Sequence, residues 1–293
     1  MTLFLQQVVD GLAAGAIYAA LALALVLVHR ATRIVNFAQG EMATFSVYVC
    51  WQMTVWGVPL YVAVLLTMLM SFVLGAAVFR LFIQPILDAP EETIVVSCIG
   101  LFVAFGAICL WIWGSDTAQF PYLFSDRIWW VGGVRISANN LGILLSLTAL
   151  ALGLALVFRF TRMGLAIQAA AMERGNSPYV GIEVETMLML GWGFAAVAGF
   201  VAGALAAPSL FLSPIMMFSV VIYSLAAAAL GGWDSPAGAI VGGLVLGVAE
   251  SVGTTYIKAI GADLRLAIPL LLMIVVLAVR PQGIFGRSSI TRV

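Results

Sequence analysis

The sequence predicts an all-α fold, a polytopic membrane helix bundle, and three observations carry that prediction. Of 293 residues, 63% are hydrophobic and 9% charged. The mean hydropathy is +1.14, far more apolar surface than a soluble core of this size can hide. The apolar residues also gather into runs close to the length of a bilayer-crossing helix, about 20 residues. Thirteen Lys plus Arg balance thirteen Asp plus Glu, so the charge provides no basic surface for nucleic acid and no polybasic patch for anionic lipid.

Taken in order, the runs lie near 6–28, 41–56, 60–79, 93–113, 138–158, 186–207, 214–231, 236–257 and 262–280, which makes nine spans, with eight as the alternative. Those at 41–56 and 236–257 are the two that could be half-helices, because each starts at a polar, glycine-containing break. Met1 to Val9 lacks the basic start and small-residue cleavage site of a signal peptide, so the first run is expected to stay as a span. Arg159, Arg162 and Arg174 share one loop, and Arg280, Arg287 and Arg292 share the tail, with four spans between them. The positive-inside rule puts both groups, and therefore the C-terminus, in the cytoplasm. The loop Gly114 to Ser137 is then outside, with Trp111, Trp113, Trp129 and Trp130 as an interfacial belt around a short surface element.

The first break, Asn36-Phe37-Ala38-Gln39-Gly40-Glu41, puts two amides and a carboxylate between two strongly apolar runs. An unsatisfied polar group in hydrocarbon costs roughly 2–7 kcal/mol, so such residues face a protein interior or a wet cavity. The stretch reads either as a path-lining broken segment or as a polar interfacial turn. A second break, Asp234-Ser235-Pro236-Ala237-Gly238, follows a run that echoes the one before the first: Ala16-Ile17-Tyr18-Ala19-Ala20 against Val221-Ile222-Tyr223-Ser224-Leu225. Paired breaks in two halves point to a substrate path, which makes Tyr18, Asn36, Gln39, Glu41, Asp234 and Ser235 its candidates. Glu250, within an apolar run, is a further one, as a path-lining or proton-handling carboxylate, or structurally, paired with another helix or shallow near Lys258 and bonded to neighbours such as Thr254.

Glycines spaced by four, Gly11/Gly15, Gly199/Gly203, Gly238/Gly242 and Gly243/Gly247, predict close helix contacts, with Gly238 to Gly247 as the expected subunit or repeat interface. Cys50, Cys98 and Cys109 read as small packed hydrophobes. Cys98 and Cys109 lie eleven residues apart on one helix, roughly 16 Å, too far for a disulfide. His29 is the only histidine, so no metalloprotease pair exists, a Ser/His/Asp set could be assembled only around His29 at a span end, and no phosphate-cradling Gly-Lys-Ser/Thr loop is present. In the loop 159–185, Arg162 to Arg174 predicts a short surface helix stopped by Gly175, then a second turn opened by Ser177 and Pro178. This helix-turn-helix suits docking of a soluble partner, or an amphipathic linker lying on lipid.

Val35 to Met42, Gly231 to Gly243, and Arg280-Pro281-Gln282-Gly283-Ile284-Phe285-Gly286 together resemble the membrane permease subunits of branched-chain amino acid ABC transporters, the LivH type. The resemblance covers nearly the whole chain and implies one transmembrane permease domain, 1–293. It also implies no enzyme activity and no cofactor in this chain, because two cytoplasmic ATPase subunits use ATP and Mg. The remaining implied partners are a second permease, LivM-type or another copy, and an extracytoplasmic substrate-binding protein, in a bacterial or archaeal plasma membrane. Docking of the ATPase falls on Arg162, Gly164, Ala169, Met172, Glu173, Tyr179, Val180 and Gly181. The implied solute is a branched-chain amino acid, with urea, short amides and aromatic acids carried by related permeases. The competing class is an ion-coupled secondary transporter.

Overall fold

In the computed structural model, residues 1–125, 127–172, 177, 181–257 and 264–286 are described. Each predicted run has its helix: α1 Thr2–Thr32, α2 Gln39–Val55, α3 Leu60–Val78, α4 Glu91–Trp113, α5 Ala138–Phe160, α7 Val184–Leu210, α8 Phe218–Gly231, α9 Pro236–Tyr256 and α10 Ala267–Val279. The predicted surface helix is α6, Arg162–Met172. Helix ends follow local chemistry. Pro59 and Pro90 precede α3 and α4, Gly114 at φ 78° stops α4, and Ser235 with Pro236 opens α9. α1 ends on Arg33 at φ 62°, whose N–H closes onto the His29 carbonyl at 2.7 Å.

Among the described residues, six helical segments are long and apolar enough to cross a membrane, the fifth and sixth being α7 and α9. At 236–257, where a half-helix was the alternative to a span, α9 has 21 residues, about 31 Å at 1.5 Å per residue and long enough to cross. The short members are elsewhere. α8 and α10 have 14 and 13 residues, about 20 Å each against a hydrocarbon core of about 30 Å. α2, which starts inside the first break, has 17.

The chain divides into two compact units. Unit 1 comprises Met1–Val26, Phe124–Leu147 and Ser219–Val293. In it α1 and α9 run antiparallel with their backbones almost touching. A Cβ on Gly15 would lie 2.7 Å from the Gly243 carbonyl oxygen, and one on Gly247 would lie 2.3 Å from the Gly11 oxygen and the Gly15 backbone. α8 folds back on α9 equally closely, with Gly238 against Gly231 and Gly242 against Ala227. The stripe from Gly238 to Gly247, expected as a subunit or repeat interface, thus packs within the chain against α1 and α8, the helices that carry the two echo segments. Along this glycine stripe the contact is van der Waals packing, and only glycine lets that packing become this close.

The third motif closes the same unit. Ile284 and Phe285 donate backbone N–H to the Leu230 and Gly231 carbonyls at 2.8 and 3.2 Å, satisfying acceptors at the C-terminus of α8. Gly283 takes φ 78° there, and its Cβ would meet the Ala229 oxygen at 2.7 Å. The outer surface element of the sequence reading is a hairpin, Ile128–Val131 paired antiparallel with Val134–Ser137. Its Gly132-Gly133 turn has positive φ at both residues, as a two-residue turn matching strand twist requires.

Unit 2 comprises Leu27–Leu123 and Thr148–Phe218 and is built around α7. Gly75 of α3 would place a Cβ 2.5 Å from the Trp192 oxygen, Gly193 packs on Phe72, and Gly203 faces Val47 and Ala43 of α2. Trp192, Phe200 and Phe79 are fully buried in this interface. Trp111 is exposed as a belt residue should be. Trp113 is not a belt residue: it turns inward, stacks on Tyr48 at 4.8 Å and donates its indole N–H to Gln52 Oε1 at 3.0 Å. Cys50, Cys98 and Cys109 are free and buried.

Candidate functional site

Two buried polar clusters stand out, one in each unit. In unit 2 the first break folds as an Asx-type turn into α2: Asn36 Oδ1 accepts from the Ala38 N–H at 3.0 Å, and Asn36 Nδ2 donates to Gln39 Oε1 at 3.1 Å. Gln39 Nε2 in turn donates to the Ala195 carbonyl of α7 at 2.9 Å. Gly199 is the residue that admits this amide, since a Cβ there would lie 2.6 Å from Nε2. Asn36 and Gln39 are 0% and 1% exposed, so in this conformation they fasten α2 to α7 and face no open path. Glu41 is buried beside α4, 3.8 Å from where a Gly106 Cβ would be, and its Oε2 has no hydrogen-bond partner among the described residues.

In unit 1 the two halves of the sequence echo meet. Tyr18 and Tyr223 stack with centroids 4.5 Å apart and planes 7° off parallel. Both hydroxyls donate to one carboxylate: Tyr18 to Glu250 Oε2 at 2.8 Å and Tyr223 to Oε1 at 3.1 Å. Side chains tilt toward the N-terminus of their helix, so on antiparallel α1 and α9 Tyr18 and Glu250 lean toward each other and close a gap that their Cα levels leave open. Arg265 Nε lies 3.6 Å from Oε1. The Thr254 hydroxyl donates to the Glu250 carbonyl, and next door Ser251 donates to Gln7 Oε1. Glu250 is therefore a buried acid with two phenol donors and a cation. Its expected neighbour Lys258 lies outside the described residues.

Sequence reasoning proposed Tyr18 and Glu250 but left out Tyr223 and Arg265. Tyr223 had a signal, because it occupies Tyr18's place in the echo. Arg265 had none, as nothing in its spacing ties it to a carboxylate 15 positions back.

The second break opens a helix. The Ser235 hydroxyl caps α9 by accepting the Gly238 N–H at 3.0 Å, and Asp234 is exposed in the turn before it. In the loop 159–185, Gly164 faces inward: its Cβ would lie 2.2 Å from the Val157 oxygen, so α6 folds directly onto the end of α5. Ile167 and Ala170 are buried with it. Arg162, Leu165 and Ala169 share the opposite face by helical spacing, with Leu165 57% exposed. The Ser177 hydroxyl donates to the Ala169 carbonyl and so ties the following turn back to α6. Gly181 adopts φ 78°. Glu173, Tyr179 and Val180, with the side chain of Met172, lie outside the described residues.

A family model described as "Branched-chain amino acid transport system / permease component" matches residues 7–277. The chain belongs to that family. Among its relatives, the high-affinity branched-chain amino acid transport system permease protein LivH of Salmonella typhimurium is 29% identical, the match covering 99% of this chain and 98% of the relative. BraD of Pseudomonas aeruginosa, with the same description, is 27% identical over 99% and 98%. The probable branched-chain amino acid transport permease protein LivH of Methanocaldococcus jannaschii is 27% identical over 91% and 87%. The solved structure of PsaBC from Streptococcus pneumoniae in complex with Fab shares the fold, with a TM-score of 0.51 over 96% of this chain and 93% of that one at 12% identity. The permease is thus a multi-pass membrane protein. Its three family motifs serve as packing devices here: the first fastens α2 to α7, and the second and third lock α8, α9 and residues 283–285 together.

Proposed function

We propose that this permease forms the translocation path of an ATP-binding cassette importer for branched-chain amino acids. The observation that carries the reading is the match to branched-chain amino acid permeases along nearly the whole chain. The proposed assembly has a second permease, two cytoplasmic ATPases that use ATP and Mg, and an extracytoplasmic binding protein. It sits in a bacterial or archaeal plasma membrane with the C-terminus in the cytoplasm. Residues 1–293 act as one domain, and the segment 159–185 docks an ATPase. On its own the chain is expected to give no ATP-driven accumulation in proteoliposomes, whereas the full complex accumulates L-leucine only with ATP. Uptake by the isolated chain, driven by an ion gradient, would make it a secondary transporter and end the reading.

The path is proposed to run past Tyr18 and Glu250 in unit 1, with Asp234 and Ser235 shaping the turn that holds α9. In unit 2, Asn36, Gln39 and Glu41 join it only when α2 parts from α7. Amides suit that task, since they offer donors and acceptors without a fixed charge that would trap a zwitterion. Cysteines at 36 and 39, in a chain cleared of Cys50, Cys98 and Cys109, are expected to resist a water-soluble thiol reagent without nucleotide and to react when the complex is trapped with ATP. Equal protection in every nucleotide state would confine these residues to packing.

A further inference from the structure

We infer that the Glu250–Arg265 pair is the point in unit 1 where an α-amino acid zwitterion is recognised, its ammonium replacing Arg265 at the carboxylate and its carboxylate taken by the freed guanidinium. The inference rests on the importer reading above and gives it residues and chemistry.

Glu250 is held unequally by its three partners. The two phenols donate at 2.8 and 3.1 Å, ordinary hydrogen-bond distances, and they are stacked, Tyr223 buried and Tyr18 half-buried, so they fix the carboxylate in place. Arg265 Nε stands at 3.6 Å, well beyond the roughly 2.7–2.9 Å of a made charge-assisted bond. The cation is the loose partner. Its side chain is also 58% exposed while that of Glu250 is 8% exposed, so the arginine has room to move and the acid does not.

A buried carboxylate stripped of its cation is costly, which means Arg265 leaves only if another cation arrives. An ammonium supplies it at Oε1. The guanidinium, released next to the entering solute, presents its planar fork to a carboxylate one carbon away from that ammonium. One ion pair is exchanged for two, and no charge is left uncompensated at any stage. A solute lacking either group leaves one member of the pair alone and is rejected on that account. Tyr18 and Tyr223 are positioning residues in this scheme, holding the acid that the solute must meet.

The test uses the complete importer in proteoliposomes and reads L-leucine taken up per ATP hydrolysed. Arg265→Gln and Glu250→Gln are each expected to lower that ratio roughly tenfold or more, and Arg265→Lys, which keeps the charge without the fork, to fall between them and the parent. The double variant Glu250→Gln/Arg265→Gln decides between recognition and structure. If the pair only braces the fold, removing both charges relieves the unpaired one and restores uptake. If it recognises the solute, the double variant stays as low as the singles. Recovery in the double variant, parental uptake in Arg265→Gln, or failure of that chain to copurify with its partners would each overturn the proposal. Failure of the importer reading shows itself differently: the unmodified complex then moves no L-leucine at all.

Discussion

Gly247→Val is expected to abolish recovery of the folded permease. Its Cβ would enter a space already occupied by the Gly11 oxygen and the Gly15 backbone at 2.3 Å, and backbone atoms cannot swing aside as a side-chain tip can. Overpacking commonly costs about 1–3 kcal/mol, with about 3 or more expected where the obstacle is another helix's main chain. Against a stability of about 5–15 kcal/mol for a domain, that is a large share. Gly100 and Gly153, where an added Cβ meets nothing within 4 Å, provide the control. Alanine there is expected to be neutral or slightly stabilising, by up to about 1 kcal/mol of helix propensity. The measurement is the melting temperature of the detergent-solubilised protein by size-exclusion, and a Gly247→Val chain melting with the parent would contradict the close α1–α9 contact.

The second large effect is expected at Leu165. It is exposed on the face of α6 turned away from Gly164, Ile167 and Ala170, so an acidic side chain there leaves the fold of the chain alone. If α6 docks an ATPase, Leu165→Asp places a carboxylate in a desolvated contact and costs about 2 kcal/mol or more of association, roughly thirtyfold in affinity. Copurification of the ATPase subunits should fall accordingly, at unchanged yield of the permease. Ile167→Asp, aimed inward, is expected instead to lose the permease itself. Stoichiometric copurification with Leu165→Asp would move docking to another segment.

The contrast between these two positions shows how far the sequence carries. Apolar runs located every membrane helix, because in lipid a helix satisfies its own backbone and needs only length and hydrophobicity to be visible. The glycine pairs were equally visible, but their partners were not. Small residues at i and i+4 declare that something comes close without saying whether it is another chain or, as here, α1 and α8 of the same one. On α6, Gly164, named for docking by the resemblance, is also what lets the helix turn tightly off α5, a contact its spacing does not announce. At the candidate site, Glu250 announced itself by being charged among apolar neighbours, and Tyr18 and Tyr223 by their repeated context. That all three converge depends on antiparallel helices tilting their side chains toward one another, which a linear reading does not contain. The hairpin had its signal in Gly132-Gly133 between β-branched and aromatic residues, but tryptophan content drew the reading toward anchoring.

The return of Ile284 and Phe285 to the end of α8 also bears on how the protein is made. Leu230 and Gly231 leave the ribosome well before the residues that satisfy their carbonyls, so α8 enters the membrane with its C-terminal end uncapped and waits through the synthesis of α9 and α10. Insertion and completion are therefore separate events in biogenesis. A nascent chain interrupted after Val279 has each described helix and lacks the two hydrogen bonds from Ile284 and Phe285 that satisfy the end of α8.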